Sequence, residues 1–315
     1  MRNKKDIPKI SVVIPIYNSG RFLEESLNSI LNQSFEDFEI IIVDNGSTDD
    51  SRVLENKYKK KDKRIRIIKL VKPNVQIAMN EGFRVARGQY IARMDADDIS
   101  FKDRFRIQVD YLDKHPDIYL IGGSAVVIDE EGNRLGILPK YDNSIRIAKK
   151  LRKSNCLIHP SIMFRNTKEF FFREKFKTSE DYELYLRMLT SNKKITNIPY
   201  FLIKYRVSRK SFVSTMPNQE FYFKKAREFY YQRIESGKDD YENLSPPKQD
   251  SFPKNYERDS LNLLIFIELS DGQSKKVRAN INIYFKKYGM NKRLILYYIL
   301  SLLPSKLITI LRRIF

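Results

Sequence analysis

The sequence is poor in the residues that bind soft metals or cross-link a chain. Its 315 residues include one cysteine, Cys156, two histidines and no tryptophan. A single cysteine excludes an intrachain disulfide and any zinc or iron–sulfur site built on several thiolates. Two histidines likewise exclude a histidine-rich metal centre, so a metal would have to take oxygen ligands. The lone thiol fits a reducing compartment.

Long apolar runs are also missing. The longest, residues 294–303, is broken by Ser301 and followed by Pro304. At ~1.5 Å per residue, a helix of this length cannot cross a hydrocarbon core ~30 Å thick. The first residues are charged and lack the apolar segment of a secretion signal. We therefore expect a cytoplasmic protein, either free or peripheral on the inner face of the cell membrane.

Basic residues are in excess: 59 Lys and Arg against 39 Asp and Glu give a formal net charge of +20. Such a charge suits an anionic partner, whether nucleic acid, acidic lipid or phosphorylated substrate. A solvated basic surface explains it equally well. Because the sequence shows no zinc finger, basic zipper or RNA-binding aromatic signature, we expect no specific nucleic-acid binding. The hydrophobic fraction of 42% suffices for a full core and excludes wholesale disorder.

Short apolar segments alternate with amphipathic ones along the first hundred residues. This alternation predicts a doubly wound, mostly parallel α/β sheet. After it we expect a helix that begins at Ser100, with a capping box formed by Ser100 and Asp103. The predicted strands are residues 10–15, 38–43, 65–70, 90–94, 118–127 and 160–164. The predicted helices are residues 21–33, 51–58, 75–86, 142–151 and 180–189.

Polar residues follow three of the predicted strands. Tyr17 comes after the first, Asp44 after the second, and residues 95–98 after the fourth. In such sheets ligands bind beyond the carboxyl ends of the strands, where the strand order reverses. We therefore expect these groups to gather on one rim. There, Tyr17 could lie flat against a nucleotide base and Asp44 could accept hydrogen bonds from the base edge.

The segment Asp95-Ala-Asp97-Asp98 brings carboxylates close together. Like charges at this spacing repel, and a cation among them relieves the repulsion. Oxygen ligands indicate Mg²⁺ or Mn²⁺, which bind one or two carboxylates together with substrate phosphates. The alternative is a solvated turn that caps the next helix. The sequence has no P-loop and no Gly-x-Gly-x-x-Gly motif, so neither a P-loop NTPase nor a standard dinucleotide enzyme is supported.

Three motifs together resemble the family 2 glycosyltransferases of the GT-A fold. They are Ile-Pro-Ile-Tyr-Asn at residues 14–18, Val-Asp-Asn-Gly-Ser-Thr-Asp at residues 43–49 and Met-Asp-Ala-Asp-Asp at residues 94–98. Later segments resemble bacterial members that build surface polysaccharides; these are residues 158–164, 179–183 and 205–214. The resemblance implies a hexosyltransferase that carries out metal-dependent, inverting transfer. The sugar would pass from a nucleotide sugar, uridine-linked, to a hydroxyl of a glycan or lipid-linked acceptor.

The resemblance also implies roles for single residues. Pro15, Tyr17 and Asp44 would hold the nucleotide, with Asp44 facing the base. Asp95 and Asp97 would form the DxD pair. In that pair Asp97 coordinates the metal, while Asp95 contacts the ribose or joins the metal shell.

On the acceptor side, Asp181 matches the catalytic base of the family. In the first turn of a helix, the macrodipole favours its ionised form. Arg206 either clamps the diphosphate or pairs with an acid, and His159 is more typical of a core histidine. Two features depart from the family pattern. Residues 75–80 lack the family's arginine, and a third metal ligand cannot be placed.

The resemblance divides the chain into two regions. We expect a GT-A catalytic domain at residues 1–215, with a nucleotide-binding half at about 8–100 and an acceptor half at about 101–215. Residues 216–315 would form a helical C-terminal region. Proline-rich, apolar-poor sequence indicates a linker at about 237–260.

The end of the chain is basic and apolar. Residues 281–315 contain seven basic residues and no acidic ones, and apolar patches lie at residues 294–303 and 307–311. This pattern predicts a basic amphipathic tail at residues 290–315 that lies on an anionic membrane surface. The alternative is a helical hairpin packed on the catalytic domain or on a second subunit.

The sequence alone leaves two alternative functions possible. A sugar-phosphate nucleotidyltransferase would share the sheet and the metal, but it carries a Gly-rich, Arg-containing loop where this chain has Ile-Tyr-Asn-Ser-Gly at residues 16–20. A non-enzymatic basic protein would bind any polyanion with steep salt dependence.

Overall fold

The computed structural model describes residues 7–71, 73–140, 142–207, 216–248, 250, 256–304 and 308. Within these residues the chain has nine β-strands and ten α-helices. The strands are β1 (Ile10–Ile16), β2 (Phe38–Asp44), β3 (Ile65–Lys69), β4 (Tyr90–Arg93), β5 (Ile99–Ser100), β6 (Ile118–Ile128), β7 (Arg134–Leu138), β8 (Met163–Arg165) and β9 (Lys194–Arg206). The helices are α1 (Gly20–Leu31), α2 (Ser51–Lys61), α3 (Val75–Val85), α4 (Arg104–Lys114), α5 (Ser144–Leu151), α6 (Glu180–Thr190), α7 (Gln219–Ser236), α8 (Tyr256–Ser270), α9 (Ser274–Tyr288) and α10 (Lys292–Leu300).

All nine strands join one sheet. Its order is β3-β2-β1-β4-β8-β6-β9-β5, and β7 pairs with β6. The first four strands are parallel, whereas β8, β7 and β5 run antiparallel to their neighbours. The strand order reverses between β1 and β4, so the carboxyl ends of β1, β2 and β4 share one rim. This confirms the predicted α/β sheet and the rim at which its polar loops gather.

The sheet is buried on both faces, which explains its continuous apolar strands. Side chains alternate between the two faces along each strand. Val13 and Ile91 pack on one face with residues of α3, α6 and α7. Val12 and Ala92 pack on the other face with residues of α1 and α4. Each strand of the parallel half is therefore held between two helical layers.

The helix after β4 begins later than the sequence predicts. Ser100 does not open a helix; it lies in β5 and pairs with Ile203 of β9. Helix α4 begins at Arg104, and the carboxylate of Asp103 accepts a hydrogen bond from Ser34 Oγ at 2.6 Å rather than capping the helix. The predicted capping box was wrong, because long-range strand pairing competes successfully with the local signal.

The C-terminal helices do not form a detached appendage. Tyr222 and Phe229 of α7 belong to the same core cluster as Val13 of β1. The predicted linker is partly helical, with a 3₁₀ turn at Tyr241–Asn243 and the start of α8 at Tyr256. Helices α8 to α10 build a small core of their own and dock on β7, where Gln273 Nε2 donates to the carbonyl of Leu135 at 2.7 Å.

Among the described helices, none combines the length and the apolarity that a membrane span requires. Of the predicted tail, residues 305–307 and 309–315 lie outside the described residues, as do Ser211 and Ser214 of the last family-like segment.

Gly82 lets α3 lie directly on the sheet. A Cβ at this position would come within 2.4 Å of Val13 Cγ1. We expect Gly82→Ala to destabilise the protein by roughly 1–3 kcal/mol, because overpacking costs more than the gain in helix propensity. Urea unfolding followed by circular dichroism measures the change. Adding Val13→Ala should recover part of the loss, and two additive losses would contradict the contact.

Candidate active site

The loops after β1 and β2 are joined by hydrogen bonds. Asn18 Oδ1 accepts a hydrogen bond from the Thr48 amide at 2.8 Å, and Ser47 Oγ accepts one from the Asn18 amide at 3.1 Å. Asp44 ends β2 and is fully buried, with Oδ1 accepting from the Ser47 amide at 2.8 Å. Gly46 has φ of 87°, a left-handed conformation that suits glycine. The two loops therefore form one rigid wall.

Tyr17, the first aromatic residue of this wall, has half of its surface exposed. Pro15 pairs with Val43 in the β1–β2 ladder. Arg52 Nε lies 3.3 Å from Asp44 Oδ2, so the buried carboxylate is paired with a cation at the start of α2. Tyr17 and Asp44 thus lie at the same edge, as the sequence predicts. Their contacts with a base stay predictions.

The second wall is the carboxylate cluster, defined as Asp95, Asp97 and Asp98. One oxygen from each lies within 4.8 Å of the others. Asp98 is fully buried, and its Oδ1 accepts from the Arg206 amide at 2.8 Å. Among the residues that the structure describes, its Oδ2 has no hydrogen-bond partner. The other two carboxylates are less enclosed. The cluster continues β4, since it begins two residues beyond Arg93.

Burial and nearby negative charge make Asp97 and Asp98 hard to ionise. Burial, followed by the charge of Asp95, raises the pKa of Asp97 to about 6. The same two causes and the charge of Asp97 raise the pKa of Asp98 well above its usual value. A buried oxygen without a donor and a set of repelling carboxylates fit a hard divalent cation. Asp95, Asp97 and Asp98 are the residues that would hold it.

Arg206 holds this cluster in place through hydrogen bonds. Its guanidinium is buried and donates to the Asp97 carbonyl at 2.8 Å and to the carbonyls of Asp129 and Glu130 at 3.1 Å. Its Nη2 also pairs with Glu25 at 2.5 Å. Of the two predicted roles, pairing with an acid is the one that the structure displays.

A further pair of acids lies at the start of α6. Asp181 Oδ2 accepts from Asn155 Nδ2, and Oδ1 accepts from the Tyr182 amide, both at 2.7 Å. Burial raises the pKa of Asp181, so its ionised form is disfavoured, contrary to the effect expected from the helix macrodipole. Burial and the charge of Asp181 raise the pKa of Glu180 to about 7. Asp181 is therefore a fixed carboxylate of increased basicity, as a general base requires.

His159 lies beside α6, where its ring is engaged by two neighbouring aromatic residues. Its Nδ1 is 2.5 Å from the Tyr185 hydroxyl, and its ring packs edge-on against Phe172 at 5.8 Å. Burial holds the pKa of this imidazole well below its ordinary value. His159 is partly buried and already hydrogen-bonded, which favours the sequence-based interpretation of a histidine with a structural role.

Two residues of the site were not predicted from the sequence. Arg93, at the end of β4, forms an ion pair with Asp95 and is 8% exposed. Asn155 orients Asp181. Arg93 carried one usable signal, a charged residue at the end of an otherwise apolar strand. Asn155 carried none, because its partner is 26 residues away in the sequence.

The motifs and the geometry agree with one protein family. The profile described as Glycosyl transferase family 2 matches residues 11–171, which include the three loops of the rim. The chain belongs to this family. It is 33% identical over 210 residues to the O-antigen biosynthesis glycosyltransferase WbnJ of Escherichia coli, over 64% of this chain and 81% of that protein. The chain is thus a glycosyltransferase with a nucleotide-sugar donor.

Solved structures show the same fold. TarS of S. aureus in complex with UDP-GlcNAc aligns with a TM-score of 0.55 and 17% identity, over 96% of this chain and 88% of that chain. GalNAc-T7 with UDP, GalNAc and Mn²⁺ aligns with a TM-score of 0.56 and 16% identity, over 73% and 50%. The GT-A architecture is confirmed. Neither a nucleotidyltransferase nor a non-enzymatic polyanion-binding protein gains support from these similarities.

The raised pKa of Asp98 predicts how metal and pH affect folding. A carboxyl whose pKa is raised in the folded state gives stability at low pH that is lost as pH rises through the folded pKa. We therefore expect metal-free Asp98→Asn to gain stability relative to wild type between about pH 5 and pH 8. Mn²⁺ should stabilise wild type and have much less effect on the variant.

Urea unfolding with EDTA or with Mn²⁺ at both pH values measures these differences. Asp117→Asn, at an exposed acid paired with Lys194, is the matched control. Equal stabilisation of wild type and Asp98→Asn by Mn²⁺ would show that the cluster does not hold the cation.

Proposed function

We propose that this glycosyltransferase moves a hexose from a uridine-linked nucleotide sugar to a hydroxyl of a glycan or lipid-linked acceptor. Transfer inverts the anomeric centre, depends on Mn²⁺ or Mg²⁺, and serves bacterial surface-polysaccharide synthesis. The observation that carries the proposal is the carboxylate cluster on the rim of the sheet, in which the buried Asp98 Oδ2 has no donor within the described ranges of the chain.

Names of similar proteins support the donor, the metal and the setting. TarS was solved with UDP-GlcNAc, and GalNAc-T7 with UDP, GalNAc and Mn²⁺. WbnJ is named for O-antigen biosynthesis. Each statement holds for that protein. Together with the cluster here, they favour a uridine diphosphate donor and a divalent cation in this enzyme.

The two walls of the rim would bind different parts of the donor. The buried Asp44 and the exposed Tyr17 would receive the nucleoside, with Pro15 shaping the strand beneath them. Asp95 and Asp97 would hold the cation, and the buried Asp98 would be its third carboxylate ligand. When bound, the cation offsets the negative charge that develops on the departing diphosphate.

Asp181 is the proposed base. Each of its carboxylate oxygens accepts one hydrogen bond, from Asn155 or from the Tyr182 amide, and keeps a lone pair for the acceptor hydroxyl. Its raised pKa improves its affinity for that proton. The activated hydroxyl attacks the anomeric carbon from the side opposite the diphosphate, and a single displacement of this kind inverts the centre.

The end of the described chain supports contact with an anionic membrane. Helix α10 is apolar all round beyond Lys292 and Arg293. Leu294 and Tyr297 face the interior, whereas Leu296 and Ile299 are exposed. An apolar outer face beside basic residues is typical of a helix that lies in the interface of an acidic bilayer. A lipid-linked acceptor would be presented there.

Replacement of the base tests the reaction. We expect Asp181→Asn to lower turnover by ~10²–10⁴-fold, because the acceptor hydroxyl loses its proton acceptor. UDP–Mn²⁺ affinity should stay unchanged. A screen of nucleotide sugars with wild type identifies the donor by release of the nucleotide. Asp117→Asn again serves as the control, and undiminished turnover by Asp181→Asn would remove Asp181 from this role.

Vesicle binding tests the membrane surface. We expect Leu296→Ser combined with Ile299→Ser to weaken binding to vesicles containing phosphatidylglycerol by ~10-fold or more, since exposed apolar area is lost. Ile145→Ser, at an exposed apolar residue of α5, is the matched control. Co-sedimentation with neutral and acidic vesicles measures the partition. Equal binding by all three proteins would contradict the membrane contact.

A further inference from the structure

Arg93 is a buried arginine whose hydrogen-bonding capacity is only partly used by the fold. It is 8% exposed, and its Nη1 is paired with Asp95. Its Nε is enclosed and donates no hydrogen bond within the described part of the chain. A buried donor left unpaired costs free energy, and beside a cluster of acids at the rim it is available to a ligand.

Arg104 provides the contrast within the same region. It is fully buried as well, but its nitrogens have acceptors: Gln108 Oε1 at 3.0 Å, the Arg93 carbonyl at 2.8 Å and the Ile162 carbonyl at 3.3 Å. These bonds hold the end of β4 in place. Arg104 therefore accounts for the local structure, and Arg93 is left with capacity that the fold does not use.

The position of Arg93 is set by the pleat of β4. It follows Ile91 by two residues and so points to the face on which α3 and α6 pack. Its Nη1 is paired with Asp95 of the carboxylate cluster. Its charge also lowers the pKa of Asp97, Asp98, Glu180 and Asp181 against the effect of burial. The guanidinium is thus bonded to the cluster and within electrostatic reach of the proposed base.

That location is where the transferred sugar must be. The anomeric carbon has to lie between the departing diphosphate oxygen and the attacking hydroxyl. If the proposed function holds, the cluster fixes the first and Asp181 the second. We propose that Arg93 binds the sugar of the donor, with Asp95 holding the guanidinium while its remaining N–H groups donate to oxygen atoms of the sugar. Oxygen-rich hexoses offer acceptors for such a planar donor.

Binding measurements separate this role from a structural one. The probes are UDP with Mn²⁺, which has no sugar, and UDP-GlcNAc with Mn²⁺ or the donor that the screen identifies. We expect Arg93→Lys and Arg93→Met to weaken the nucleotide sugar by ~10–100-fold, the size of a lost charged hydrogen bond. Their UDP–Mn²⁺ affinity should change much less, so that the ratio of the two affinities shifts, and circular dichroism shows that the variants are folded. Arg104→Lys is the control, expected to lower thermal stability and leave the ratio of the two affinities unchanged.

Three results would overturn the assignment. Equal weakening of both ligands by the Arg93 variants would mean that Arg93 only positions Asp95. Unchanged affinity for both would mean that it contacts neither. Wild type that binds neither ligand would refute the proposed function, and the assignment would fail with it.

Discussion

The structure depends on keeping several negative charges together at the end of one strand. The carboxylates of Asp95, Asp97 and Asp98 lie close enough to repel each other, and burial makes the ionised forms of Asp97 and Asp98 costly. The surrounding chain compensates with fixed donors and cations rather than with solvent. Arg93 pairs with Asp95, and the Arg206 amide donates to Asp98. Because Arg206 ends β9, this compensation joins the segment after β4 to the end of β9.

The parallel half of the sheet could be predicted from sequence, and physical reasons explain why. Its strands are buried on both faces, so they form uninterrupted apolar runs that end at polar loops. The predicted strands at residues 10–15, 38–43 and 65–70 agree with β1, β2 and β3 within one residue at each end. The segment at Ser100 could not be predicted in this way, because its strand exists only by pairing with residues about a hundred positions later. A local pattern contains no information on such a partner.

The same distinction applies to the site. Asp44 and the carboxylate cluster could be located because the topology of a parallel sheet brings strand ends to one edge. The role of Arg206 could not be decided, since its acceptors are mostly backbone carbonyls of distant loops. Asn155 and Arg93 were missed for a related reason. Each acquires its function from a neighbour that only the folded chain supplies.

The packing of α6 changes how the C-terminal region should be understood. Asp181 is fixed at the start of α6, and Glu183 on the same helix is buried against Arg173 at 3.3 Å and Arg187 at 2.9 Å. Arg173 in turn lies 2.8 Å from Asp239, a residue of the predicted linker. Removing one member would leave a buried charge uncompensated, which is strongly destabilising. The position of Asp181, the proposed base, therefore depends on residues well beyond residue 215, the predicted end of the catalytic domain. Helix α7 and the segment that follows it pack together with α6.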